Sequence, residues 1–226
     1  MIRRTQAERS DETTGRLVRA ARKLFGAHGY ALTSIDAVAA AAGVTKGAAY
    51  HHFNGKVALF RAAFVGEQEE VAAALERAAL AEPDPWAALR RGCRTFLERC
   101  LDPGFRQIVL LDAPSVLGWE TVREIEYAHT LRVLVAGLHL ATAGEQPADP
   151  DTAGGGAADG GKVVGGAADG GKVVGGAADG GLSMRAQLVF GALCEGGMLL
   201  ARSADPAADL PRLAAEADRF LAALRP

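Results

Sequence analysis

Lys46, Tyr50 and His51 place an ammonium, a phenol and an imidazole close together on one short stretch, all turned outward if that stretch is helical. Near the start of such a helix, the Lys46 ammonium can reach a phosphate or a guanine edge. Gly47 and Ala48 are small, so the backbone beside them can lie close to a groove floor. Thr33, Ser34, Thr45 and Lys56 fall where helices are expected to begin, and the free amide N–H groups there favour a phosphate. This is the chemistry of noncovalent recognition of a polyanion.

The elements that position these groups are legible around them. Thr33 or Ser34 can cap a helix, with Asp36 three residues after Thr33 as in a capping box. Ile35, Val38, Ala39 and Ala42 follow the i, i+3, i+4, i+7 spacing of one buried face. Gly43 ends that helix where a left-handed residue is required, since glycine has no Cβ to clash. Val44 leads in and Thr45 caps a second short helix, with Ala49 and Phe53 inward. Two short helices about a tight glycine turn make a helix-turn-helix, whose second helix can enter a DNA major groove.

The run Thr33-Ser34-Ile35, Val38-Ala39, Ala42-Gly43-Val44-Thr45-Lys46-Gly47, Tyr50-His51-His52-Phe53, Lys56 and Leu59-Phe60 resembles the TetR family of bacterial transcriptional regulators. The resemblance spans roughly residues 12–60, and beyond them it is one of helical architecture. It departs at Ala49, where the family more often has a larger apolar residue. It implies an all-α fold of about nine helices. An amino-terminal helix-turn-helix DNA-binding domain (1–54, motif 33–53) would precede a ligand-binding and dimerisation domain (55–226). Tyr50 and His51 are placed like family residues that hydrogen-bond phosphates. The last two helices, about 183–202 and 209–224, would pair with a second copy as a four-helix bundle. An effector cavity is expected among Phe64, Trp86, Cys93, Phe96, Phe105, Trp119 and Tyr127.

Charge supports a polyanion partner for the first segment. Residues 1–60 hold nine Lys/Arg and four Asp/Glu, a net +5, while the whole chain of 226 residues is at −2. The body is therefore acidic and only the amino end is basic. Three cysteines fit a reducing cytosol, and no apolar run reaches the length of a membrane span. The first residues lack the apolar core of a signal peptide. Those features make a cytoplasmic protein, nucleoid-associated when bound, the expectation.

Along the chain, residues 1–11 read as a mobile arm and a first helix as 12–28, with His28 partly buried. Asn54 is expected to cap a fourth helix reaching about residue 81, on which Glu67-Gln68-Glu69-Glu70 reads as a solvated face. Further helices are expected over 86–101, 104–111 and 115–143. Residues 155–164 are repeated identically at 165–174 and a third copy begins at 175, so a flexible linker is expected over about 144–182. From Met184 to about Ala201 the chain is apolar on most faces, and burial nearly all round is expected.

Other chemistries do not find their residues. Gly156 to Lys162 has the spacing of a phosphate-binding loop, but Val163 stands where a magnesium-ligating Ser or Thr is needed. The repeated Asp159, Asp169 and Asp179 have the wrong period for the glycine-aspartate calcium repeat. Cys93 and Cys100, seven apart on one helix, are roughly 10 Å apart along its axis, too far for a disulfide. No catalytic constellation, metal site or cofactor is indicated. The sequence thus points to a ligand-responsive repressor binding a pseudo-palindromic operator as a homodimer. The alternative is a helical small-molecule-binding protein whose DNA-binding motif is vestigial.

Overall fold

The computed structural model describes residues 5–143 and 177–225, with side chains from residue 180 in the second stretch. All regular structure among them is helical. The glycine-rich repeats of 155–174 lie outside the described residues.

Helix α1 (Gln6–Leu32) begins earlier than the sequence suggested. Thr5 and Glu8 form a reciprocal capping box, in which Thr5 N donates to Glu8 Oε2 at 2.7 Å and Glu8 N donates to Thr5 Oγ1 at 3.3 Å. That satisfies two otherwise orphaned amides, so residues 6–11 are helix and not an arm. Leu17, Ala21 and Phe25 are its buried stripe. His28 is exposed, because the stripe is completed by Gly29. Gly29 (φ 74°, ψ 169°) interrupts the helix in a conformation few other residues adopt.

Helix α2 (Ile35–Ala42) packs on α1, and α3 (Lys46–His52) packs on α2. Helix α4 (Lys56–Leu80) then runs from this unit into the body. Its amino-terminal cap position is Gly55 (φ 99°), not Asn54, and no side chain caps it. Phe60 on α4 meets Phe25 edge to face at 5.1 Å and Tyr30 at 5.3 Å, riveting α4 to α1. Burial of each such ring stabilises by about 2 kcal/mol.

The body comprises α5 (Pro85–Arg99), α6 (Pro103–Arg106), α7 (Ala113–Leu117), α8 (Trp119–Ala128), α9 (Thr130–Ala143), α10 (Ala177–Arg202) and α11 (Pro206–Ala222). A π turn over Gln107–Asp112 joins α6 to α7. Pro114, with no N–H to give the preceding turn, follows it. The single helix expected over 115–143 is three. Gly118 (φ 80°) divides α7 from α8, and His129 (φ −125°, ψ −95°) divides α8 from α9. No described helix is long and apolar enough to cross a membrane.

Two expectations about burial are reversed. Glu67 and Gln68 are buried, not solvated, because both lie on the α4 face that meets α1, α5 and α9. Met184, Leu188 and Leu199 on α10 are 65 %, 65 % and 52 % exposed, so one stripe of that helix is uncovered in the single chain. The carboxyl end of the expected linker is also helical, since α10 starts at Ala177.

Candidate nucleic-acid interface and ligand cavity

The helix-turn-helix is held by local bonds that leave its outer face free of packing. Ser34 Oγ accepts from Ala37 N at 3.1 Å and Thr45 Oγ1 accepts from Ala48 N at 3.1 Å, capping α2 and α3. Gly43 is left-handed (φ 63°, ψ 38°). Arg16, from α1, donates to the carbonyls of Ala42 at 2.5 Å and Gly43 at 3.0 Å, closing the turn from below. Ile35, Val38, Ala39, Ala42, Ala49 and Phe53 are buried, as their spacing predicted. The small Ala49 is fully buried, so the recognition helix sits close against its support.

On the opposite face, Ser34, Thr45, Lys46, Gly47, Tyr50 and His51 are exposed and Ala48 is half-buried. Lys46 Nζ lies 2.7 Å from Asp36 Oδ2, an exposed pair that raises the ammonium's pKa through that hydrogen bond. The ammonium also stands 5.8 Å from the Tyr50 ring centroid. Lys56 Nζ caps the Ala31 carbonyl at 3.2 Å and sits 4.2 Å over the Tyr30 ring. Thr33 is not presented on this face. It is 3 % exposed, and its hydroxyl donates to the Gly29 carbonyl at 2.9 Å, closing the end of α1. His52 turns back, its Nδ1 3.1 Å from Thr14 Oγ1.

Three contacts fasten this unit to the body. Glu67 accepts from Arg22 Nε of α1 at 2.9 Å and from Arg99 of α5 at 3.1 Å. Asp112 Oδ2 accepts from Tyr30 N at 2.7 Å. Gly26 and Gly104 meet backbone to backbone. None of these was legible as a functional pair, because each joins residues far apart in sequence.

A cavity of about 90 Å³ lies between α4, α5, α9 and α10. Cys93 and Phe96, both expected there, line it, together with Leu75, Gly92, Thr130, Leu134 and Phe190. The remaining expected residues do not. Phe64, Phe105 and Trp86 are buried in the core away from it, and Tyr127 is half-buried against the core. Trp119 is 64 % exposed, with the Arg123 guanidinium 4.5 Å over its ring. The contribution of α9 was missed because the break at His129 rotates its face. Burial pushes the Cys93 thiol up to about 12, which keeps it protonated and unreactive. Among the described residues no three His, Cys, Asp or Glu side chains are placed to share a metal.

Beside the break, Glu126 is buried on α8, and burial raises its pKa from 4.5 to about 7 against the opposing pull of Arg123. Arg123 lies 3.2 Å from Glu126 Oε2 as an ion pair, without hydrogen-bond geometry. The folded state therefore holds this proton more tightly than the unfolded state. Stability from this group is present below about pH 4.5 and is lost as pH rises through about 7. Glu126→Gln is expected to flatten that fall, which amounts to at most about 3 kcal/mol, in urea titrations from pH 5 to 8.

Comparison with known proteins agrees with this geometry. Residues 17–63 match the family model for bacterial regulatory proteins of the tetR family, and residues 86–153 match a Tetracyclin repressor-like C-terminal domain. The chain is 37 % identical over 111 residues to the HTH-type transcriptional regulator TtgR of Pseudomonas putida, covering 48 % of this chain and 52 % of that one. It is 32 % identical over 120 residues to the transposon Tn10 TetC protein of Escherichia coli, covering 53 % and 60 %. Its matches span from about a third to three-fifths of the length of such curated relatives. A solved TetR-family transcriptional regulator from Pectobacterium atrosepticum aligns over 98 % of both chains, with a TM-score of 0.69 and 28 % identity. With the helix-turn-helix and the carboxyl-terminal helical domain both matched, the chain belongs to the TetR family of bacterial transcriptional regulators.

Proposed function

We propose that this chain is a cytoplasmic, DNA-binding transcriptional repressor, not an enzyme, that grips a pseudo-palindromic operator as a homodimer and responds to a small molecule. The observation that carries the reading is the row Lys46, Tyr50 and His51, exposed on a helix whose other face is locked by Ala49 and Phe53. With Ser34, Thr45 and Lys56 it would meet phosphates, and Gly47 and Ala48 would let the backbone approach the bases. Lys46 would exchange its exposed Asp36 partner for a phosphate.

The uncovered stripe of Met184, Leu188 and Leu199, continued by Phe220 on α11, supports dimerisation through α10 and α11. A second copy would set two recognition helices at a fixed spacing. The cavity touches α4, which carries Lys56 at its other end. Filling it would favour one placement of α4 and so change operator affinity.

Alanine at Lys46 or Tyr50 is expected to weaken operator binding about tenfold each, and Lys46→Ala to reduce the salt slope by about one. Fluorescence anisotropy on a labelled duplex measures both, with melting temperature unchanged. Unaltered affinity in both variants would overturn the assignment of this face.

A further inference from the structure

The cavity has an apolar wall and one polar fixture. Phe96 and Phe190 meet in its lining with centroids 5.5 Å apart and planes at 65°. Among the described residues that line it, none is an Asp, Glu, Lys, Arg or His. An ionised occupant would therefore lose its hydration with nothing in return. Among the described residues Thr130, only 1 % exposed, is the one hydroxyl-bearing residue of the lining. That hydroxyl lies 2.5 Å from Oε1 of the fully buried Gln68, whose Nε2 has no partner among the described residues.

A buried amide left half-satisfied is costly, and here it adjoins the cavity through Thr130. In this arrangement the Thr130 hydroxyl donates its proton to Gln68 Oε1, and its lone pairs can accept from an occupant. With the amide turned over, Nε2 donates to Thr130 and the hydroxyl proton is free to donate. Either arrangement suits a group that both donates and accepts. The volume is below the ~150 Å³ that holds benzene in an engineered cavity elsewhere, so the occupant is at most one ring in size and the lining must yield to admit it.

Resting on the reading of this cavity as the effector site, we infer that its ligand is a compact, uncharged, largely apolar molecule carrying one hydroxyl, seated beside Phe96 and Phe190 and anchored on the Thr130–Gln68 pair. The probes are p-cresol, toluene and benzoate, titrated calorimetrically into the full chain without DNA. p-Cresol is expected to bind roughly 3- to 10-fold more tightly than toluene, the margin of one hydrogen bond, with benzoate undetected. Thr130→Val removes that margin while leaving toluene unchanged, and Thr130→Ser retains it.

Gly92 supplies an arm that does not depend on a weakened core. A Cβ added there meets nothing within 4 Å, and the residue lines the cavity. Gly92→Leu therefore fills the space, holds or raises the melting temperature and abolishes binding of both neutral probes. Equal binding of p-cresol and toluene to the native chain, benzoate binding as well as p-cresol, or full binding to Gly92→Leu would each overturn the inference. So would no binding by any probe. If p-cresol binds as described but leaves operator affinity unchanged, the ligand assignment stands and the regulatory role of the cavity falls.

Discussion

Glu67→Ala is expected to destabilise the chain by about 3 kcal/mol, near the lower end for removing one partner of a buried ion pair. Glu67 is 5 % exposed and divides its two oxygens between Arg22 on α1 and Arg99 on α5. Without it, the two guanidinium groups share Glu70, and Arg99 keeps only Asp102 at 3.4 Å besides. Arg22 donates to both Glu70 oxygens at 2.5 Å, which holds that carboxyl's pKa below its ordinary value. Glu70 is half exposed, however, and cannot satisfy both arginines as Glu67 does. In a chain of this size the loss corresponds to roughly 6–12 °C in melting temperature. Glu67→Gln keeps a hydrogen-bonding amide but no charge and should fall between. A loss under about 0.5 kcal/mol on urea titration would mean that the three groups are solvated separately.

Gly26→Val is the second large effect, and its sign is the informative part. At an ordinary exposed helix position, replacing glycine stabilises by about 1 kcal/mol or less. At Gly26 a Cβ would stand 2.9 Å from Gly104 Cα and 3.3 Å from Gly104 O, backbone atoms with no rotamer to escape into. Helices α1 and α6 would have to part, loosening the bond from Tyr30 N to Asp112 and the packing of Gln107 against Gly29. A cost of about 2–3 kcal/mol is expected, as for overpacked cores. Circular-dichroism melts of Gly26→Val beside Gly92→Ala measure the contrast, since nothing opposes a Cβ at Gly92. A Gly26→Val chain as stable as the native one would show that α1 and α6 do not depend on this contact.

The amino-terminal unit was legible because its signals are local. Cap, apolar spacing and glycine turn fall within about one and a half dozen residues, and Ile35, Val38, Ala39, Ala42, Ala49 and Phe53 are buried and Lys46, Tyr50 and His51 exposed as expected. Thr33 is the exception. Two adjacent hydroxyls could each cap α2, and only the tertiary course of α1 makes Thr33 close the helix behind it. The capping box at Thr5 and Glu8 was equally local and lay unread in a polar stretch.

The body was less legible, since its decisive contacts are between distant residues. Glu67 looked solvated within an acidic run, although its α4 register beside Phe60, Phe64 and Val71 pointed inward. Its arginine partners are 45 and 32 residues away. The break at His129 has no glycine or proline to announce it, so the face that α9 turns to the cavity had no sequence signal. Aromatic residues were a poor guide to the cavity for a physical reason. Most are needed to fill the core, and a cavity is where large side chains are absent, as Gly92 shows.

The operator itself is the most direct test of what this molecule is for. Selection of bound duplexes from a random pool, followed by anisotropy titration of the winner at several salt concentrations, would address it. A repressor of this kind enriches a pseudo-palindrome with two half-sites. Its log affinity falls linearly with log salt, with a slope of about −0.9 per phosphate neutralised. No enriched sequence, or binding indifferent to salt, would contradict DNA recognition by Lys46, Tyr50 and their neighbours.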